Sequence, residues 1–512
     1  MPADGSHPSP AYSRALALVG GGAISRAVAR LVITGAAFAT TALVVRQLGP
    51  ISFGALAFGL SIVGLSSAIT SGFGVAATRT IAGHVAHGDR ESAGLVTRGL
   101  TNVVVVGGGG SLLLLLLIIW VTQEQLETGE TLVLGLGLGM LLVGHSAVIA
   151  GGAVARGFGR VVLMETPGLV EVVSKLLLVM LLLGLGMATL GAVAGVYGVA
   201  GLAAGLAAAA IAHRAHAGVD HLFRPAAAAA VQLLRITAPY AVAVVAYRLI
   251  QSFDVAVLGA THPVGAVGSY APTLVLVESL VMLVPLLFSA VFVTASTALA
   301  ETGDTAAFSR LYLTVSRLSM LAAMPAFILL TVAPDEVLTF AFGEGFPAAA
   351  TVVRILLLGF FVTVVFGLNG QALVASGERR RLARAFAWPG ATMVVSSLVL
   401  IPLFGGIGAA AATALSLLAL NLSLSWVLYR TTGTHPLHRA LVILVVTAPV
   451  AVLGGGGLHD AVGDGFWSAV LASVAAWAVW IAVAWILGAF RFKEFRGLLP
   501  KRTMPVLTED GS

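Results

Sequence analysis

The sequence predicts an all-α polytopic membrane protein of about fourteen transmembrane helices. Three observations predict it. Hydrophobic residues make up 58% of the 512 positions and charged residues only 10%, whereas a soluble domain carries about 25% charge. Apolar runs of about 20 residues, the length that spans a bilayer as helix, alternate with short polar breaks. Lys and Arg gather in every second break. The 61 glycines, with many alanines, suit close helix packing in lipid. The same composition excludes disorder, and the absence of Cys excludes a disulfide scaffold. The net charge of +6 sits in loops between apolar runs, which argues against a nucleic-acid partner.

The polar start, Met1 to Ser13, lacks the short apolar core and small-residue cleavage site of a signal peptide. The expected spans are 20–46, 52–73, 99–121, 131–152, 166–186, 190–212, 236–260, 268–294, 311–333, 352–374, 384–404, 407–429, 439–457 and 467–489. Only a Gly-rich break near Gly184 to Gly191 separates the fifth from the sixth. One set of loops holds Arg14, Arg79, Arg90, Arg98, Arg156, Arg160, Arg214, Arg310, Arg379, Arg380, Arg381, Arg384 and Arg430. The tail adds Arg491, Lys493, Arg496, Lys501 and Arg502. The opposite loops carry Glu124, Glu127, Glu130, Asp335, Glu336, Glu344, Asp460 and Asp464, with Arg46 and Arg354 near helix ends. The positive-inside rule then places both termini in the cytoplasm of a multi-pass cell-membrane protein.

Paired motifs point to an internal repeat. Pro50 and Gly54 precede the second span as Pro263 and Gly268 precede the eighth. Gly88-Asp89 follows the second as Gly303-Asp304 follows the eighth. Ala155-Arg156-Gly157 is matched by Ala375-Ser376-Gly377, and Pro167-Gly168 by Pro389-Gly390, each pair opening a span. The offsets are similar, so two six-helix lobes in parallel orientation enclose a central cavity, a common transporter construction. The expected division is a cytoplasmic N-terminal tail (1–19), an N-lobe (20–225), a C-lobe (226–432), two further helices (433–490) and a basic cytoplasmic tail (491–512) suited to anionic lipid.

The segment Leu48-Gly49-Pro50-Ile51-Ser52-Phe53-Gly54 resembles the Leu-Gly-Pro-x-x-Phe-Gly signature of polysaccharide and oligosaccharide flippases, the Wzx/RfbX-like branch of the MOP (MATE-like) exporter superfamily. The resemblance continues through Ala55-Leu56-Ala57, Ser61 to Leu65 and Gly72 to Ala76. It returns at Asp254 to Gly259, Val267 to Tyr270 and Arg354 to Gly377. It covers much of the chain from about 20 to 430. It implies a flippase, not an enzyme. The cargo would be an oligosaccharide on a polyprenyl diphosphate, moved from the cytoplasmic to the outer leaflet by alternating access. Leu48, Gly49, Pro50, Phe53 and Gly54 read physically as a tight reversal. Pro50 lacks an N–H and disfavours helix in its predecessor, and the glycines permit the turn.

Ionisable groups within spans are costly and face a cavity or a partner. Arg26, Arg30, Thr34 and Thr41 share a face of the first span. Arg30 with Thr34 could bind a diphosphate, since a guanidinium fork matches phosphate oxygens; snorkelling to lipid phosphates is the alternative. On the seventh span Tyr247, Arg248 and Gln251 share a face, a second substrate-binding candidate. Asp254 lies about 120° from Arg248 on the helix wheel, so each needs a partner elsewhere. Asp254 and Glu278 are candidates for coupling or gating, with a structural bond as the alternative for each. Glu171 and Lys175 are candidates too, or simply an i,i+4 ion pair. His213, His216 and His221, with Asp220, match no compact zinc spacing, so no metal is expected. No phosphate-cradling Gly-x-x-x-x-Gly-Lys loop is present, so neither ATP hydrolysis nor a cofactor is expected. The expected partners are the lipid-linked oligosaccharide, membrane lipids and a coupling ion, H⁺ or Na⁺. A multidrug exporter of the same superfamily is the rival transporter. A membrane-embedded polymerase or glycosyltransferase is the rival enzyme, disfavoured by the short outer loops.

Overall fold

The computed structural model describes residues 21–122, 128–159, 165–215, 227–346, 349–375, 379–435 and 438–490. Every regular element among them is helical. In chain order they are α1 (Gly21–Ala86), α2 (Arg90–Thr122), α3 (Thr128–Gly157), α4 (Thr166–Gly184), α5 (Leu190–Ala215), α6 (Ala227–Thr261) and α7 (Val264–Thr302). Then follow α8 (Thr305–Val332), α9 (Pro334–Phe342), α10 (Ala349–Phe366), α11 (Asn369–Ala375), α12 (Arg379–Thr432), α13 (Arg439–Val462) and α14 (Phe466–Ile486).

Two of these are folded pairs. The backbone of α1 breaks at Gly49 (φ 72°) and that of α12 at Gly405 (φ 56°), angles that only Gly adopts without strain. Eleven helices among the described residues are long and apolar enough to cross a membrane. Counting α1 and α12 as two crossings each, and adding α2 with its 33 residues, the fold has about fourteen crossings. The break between the fifth and sixth is real: α4 ends at Gly184 and Gly186 takes φ 67°.

Two details differ from the sequence reading. The tenth span is not continuous. It is split into α10 and α11, with Gly367 at φ 65° between them. Pro389 does not open the eleventh span: α12 begins at Arg379 and carries Pro389 inside it. Gly390 there lets α12 approach α6, since a Cβ would sit 2.8 Å from that of Ala246.

The other repeat pairs behave alike. Gly88 (φ 77°) and Gly303 (φ 70°) each end a helix. Asp89 then accepts a hydrogen bond from the Ser92 amide at 3.0 Å, and Asp304 one from Ala307 at 2.9 Å. Both are N-caps of the following helix. Hydrogen bonds from Ser92 hold the Asp89 carboxyl below the usual carboxylate range. Of the Ala155-Arg156-Gly157 pair, Ser376 and Gly377 lie outside the described residues.

In one lobe α3 packs with α1, α2 and α5, and α4 with α1 and α5; in the other α12 packs with α6, α7 and α10, and α8 with α7 and α10. The most extensive helix pair is α3 with α5. Gly137, Gly144 and Gly151 recur every seven residues and face Ala194, Gly201 and Ala208. A Cβ on those glycines would lie 2.3, 2.1 and 2.5 Å from the carbonyl oxygens of Ala194, Gly201 and Ala208. Gly198 and Gly205 return the contact, at 2.6 and 3.0 Å from the oxygens of Gly137 and Gly144. Small residues let backbones meet where lipid supplies no hydrophobic drive between helices. α13 and α14 pack on each other and on α8. The Trp477 indole donates to Leu321 O at 2.7 Å, and Trp480 donates to Thr447 Oγ1 at 2.8 Å.

Gly144→Val should therefore prevent α3 and α5 from seating. The expected result is loss of the monodisperse peak in detergent gel filtration. Gly195→Ala, in open space on the same helix pair, should elute as wild type.

Candidate functional site

The turn of α1 does more than reverse the chain. Pro50 O lies against Gly268, where a Cβ would come within 1.7 Å, and Gly54 lies against Val264 O, where one would come within 1.9 Å. The two repeat-related turns thus pack reciprocally, each with its glycine on the other's backbone. Deeper along the same seam, Gly259 receives the Phe58 ring and Gly64 faces Ser252 Oγ. Phe53 is buried beside this contact. On the same side the Arg46 guanidinium donates to Ala341 O at 2.9 Å and to Phe340 O, at the end of α9. The lobes are therefore sealed at the end that carries Pro50 and Pro263. Leu48 packs on the core there.

Below the seal, the candidate binding residues of both lobes come together. Tyr247 and Arg248 stand on α6, Glu278 on α7 and Arg30 on α1, three helices that pack on one another. Tyr247 accepts from Gln251 Nε2 at 3.1 Å and meets Phe386 edge-on at 5.9 Å. Tyr247 and Glu278 are both exposed. Arg248 is half-buried and has no hydrogen-bond or ion-pair partner among the described residues. A cation so placed can meet an anion without first breaking a bond. Arg30 differs: its Nη2 lies 3.4 Å from Glu165 Oε1, just before α4. Thr34, one turn along, is half-buried. The side chain of Arg26 lies outside the described residues, as do His216, Asp220, His221 and the tail beyond 490. No cluster of three metal-ligating side chains occurs among the described residues.

Asp254 is fully enclosed and bonded through both oxygens. Oδ2 accepts from Tyr270 Oη at 2.5 Å and Thr413 Oγ1 at 2.8 Å, and Oδ1 accepts from the Val255 amide at 2.8 Å. The carboxyl ties α6 to α7 and α12, and no described cation pairs with it. Glu278 is the next acidic group within electrostatic range of it.

Glu171 and Lys175 pair at 2.6 Å, on the spacing that favours it. The structure adds two members that the sequence reading missed. His145 on α3 brings Nε2 within 3.0 Å of the same Glu171 oxygen, and Lys175 Nζ sits 4.7 Å above the Tyr197 ring of α5. The signal for His145 was an imidazole inside an apolar run. Asn369 was also missed as a polar centre. At the break before α11 its Nδ2 reaches Asn421 Oδ1 at 3.2 Å and Ser425 Oγ at 3.1 Å, and Asn421 donates to Thr363 at 3.0 Å. These bonds satisfy side chains where the spanning helix is interrupted, a requirement in lipid.

The profile of a family described as polysaccharide biosynthesis protein matches residues 19–297, more than half of the chain. The chain belongs to that family. The resemblance carried by the Leu48 to Gly54 turn thus agrees with a match that spans the whole N-lobe and the seam. No curated protein matches by sequence. Among solved structures, the lipid II flippase MurJ in an inward closed conformation aligns with 90% of this chain and 99% of its own, at 12% identity and TM-score 0.69. An inward-facing multidrug resistance MATE family transporter of the MOP superfamily aligns with 80% of this chain and 99% of its own, at 16% identity and TM-score 0.62. A MOP superfamily transporter from Pyrococcus furiosus, described as having a binding pocket of reverse polarity, aligns with 84% and 99%, at 15% identity and TM-score 0.56. This member of the polysaccharide biosynthesis family therefore has a transporter fold of the MOP type.

Removing one partner of a buried ion pair costs more than removing both, because the survivor is left uncompensated. Lys175→Met should lower the melting temperature in detergent by several degrees. Adding Glu171→Gln should recover part of that loss, a coupling that a double-mutant thermal-melt cycle reads directly.

Proposed function

We propose that this family member is a flippase that carries a polyprenyl-diphosphate-linked oligosaccharide across the cell membrane, from the cytoplasmic to the outer leaflet. The observation that carries the reading is the placement of Arg30, Tyr247, Arg248 and Glu278 on α1, α6 and α7, the helices that meet at the seam between the lobes. Loops rich in Arg lie at the opposite end, so the positive-inside rule assigns the sealed end to the outer side and both termini to the cytoplasm. The cavity then opens toward the leaflet where such cargo is made.

The chemistry follows from the groups. The cargo's diphosphate is its densest charge, and the half-buried Arg248 fork offers it paired donors in a medium of low dielectric. Arg30 exchanges Glu165 for the diphosphate, or shares it. Tyr247 and Gln251 supply a hydroxyl and an amide for sugar hydroxyls. The lipid tail stays in the bilayer while the lobes rock about the seam, closing one end as the other parts. Asp254 and Glu278 are the coupling positions for H⁺ or Na⁺, Glu278 because it meets the cavity and Asp254 because its bonds join three helices that must move. The exporter of small cations is the second reading, favoured by Glu278 and Tyr247 in the same wall.

In proteoliposomes, Arg248→Ala should abolish translocation of lipid-linked glycan while the protein still inserts. Arg248→Lys should recover only part, since a point charge replaces a fork. Normal flipping by the Ala variant, or efflux of a cationic dye that needs Glu278 but not Arg248, would favour the exporter.

Gly268→Val should hold the outer end open. In this Cys-free chain a single Cys at Thr34 should then react with a membrane-impermeant maleimide added outside, whereas the same Cys in the wild-type background should be protected.

A further inference from the structure

Within the C-lobe, the fold-back of α12 at Gly405 brings the two ends of that helical pair together. Between them lies a pocket of about 480 Å³ lined by Arg381, Arg384, Ser423, Trp426, Val427 and Arg430. Three arginines line it, and no acidic side chain does so among the described residues. Arg430 lies over the Trp426 ring at 4.6 Å, which fixes the plane of its fork. Like charges gathered in a concave wall repel one another unless an anion enters.

A second observation identifies what the anion is attached to. Leu415, Leu418, Leu422 and Trp426 recur at intervals of three and four residues along α12, and all are exposed, at 45%, 38%, 50% and 58%. They form one apolar stripe that climbs the helix and ends at the pocket. The stripe suits an acyl chain and the pocket suits its head group. The Trp stands where the two meet, the usual place of an indole at a membrane interface.

We propose that this pocket holds the phosphate head group of an anionic phospholipid, with its chains along the Leu415 to Trp426 stripe. Basic pockets between membrane helices bind such head groups. The occupant is a resident lipid and not the cargo, because the stripe faces outward from α12 and the pocket is built wholly from one lobe. The site does not rest on the proposed transport reading and would stand if that reading failed.

The test is native mass spectrometry of the full chain released from nanodiscs of phosphatidylglycerol, of phosphatidylcholine, or of their mixture. The wild type should retain phosphatidylglycerol in preference to phosphatidylcholine. The triple variant Arg381→Gln/Arg384→Gln/Arg430→Gln should lose affinity for phosphatidylglycerol about a hundredfold, at roughly fivefold per arginine. A control lacking three exposed arginines elsewhere, Arg90, Arg214 and Arg310, should retain it. Trp426→Ala keeps the charges and should weaken retention less. Should the triple variant be recovered in poor yield, the charge-keeping Arg384→Lys/Arg430→Lys serves instead, and intermediate retention is expected. Equal retention by the triple variant and wild type would overturn the proposal. So would displacement of the lipid by millimolar inorganic phosphate, which points to a free-phosphate site. Preferential exchange for geranylgeranyl diphosphate would also overturn it, because the pocket would then belong to the cargo path.

Discussion

The contact on which the architecture depends is the approach of two backbones at glycine. Pro50 O against Gly268 and Val264 O against Gly54 leave no room for a single methyl group. The two turns bring backbone against backbone at these glycines. At these two turns the lobes are joined by close backbone shape, with the Phe58 ring on Gly259 and the Arg46 guanidinium on the end of α9 adding to the joint.

Inside each lobe the same device is used more heavily. The α3–α5 pair repeats its glycine and alanine contacts every seven residues, so the contact keeps to one face over three repeats. Polar groups then provide what packing cannot, namely uniqueness of arrangement. Asp254 with Tyr270 and Thr413 joins three helices of one lobe, and His145 with Glu171 and Lys175 joins two of the other. These buried networks give each lobe rigidity.

Much of this was legible in the sequence because lipid imposes a simple length rule. Spans, breaks and the repeat could be read from apolar run length and from Gly, Pro and Asp at matched offsets. Gly88-Asp89 and Gly303-Asp304 proved equivalent even to the capping bond. Two features escaped. The tenth span reads as continuous because Gly367 is one glycine among many and Asn369 one amide in an apolar run. Only the partners on α12 reveal the break. Pro389 reads as a helix start, yet α12 begins ten residues earlier and carries the proline inside it. Ser416, in the later stretch of α12, donates to Pro389 O at 3.1 Å and ties the two halves of the folded pair together there. Site chemistry was legible as residue type but not as partnership. Arg30 and Arg248 look alike on helical wheels. The structure gives the first a carboxylate and leaves the second open.

The final helix pair has a mechanical consequence. α13 and α14 are bonded to α8 through Trp477 and to each other through Trp480, and Phe466 stacks on Phe340 at 3.8 Å. All of these anchors lie on the C-terminal side of the seam. In the rocking motion proposed above, the pair would be towed by one lobe as an outrigger is by its hull, and that lobe would drag more surface through viscous lipid than the other.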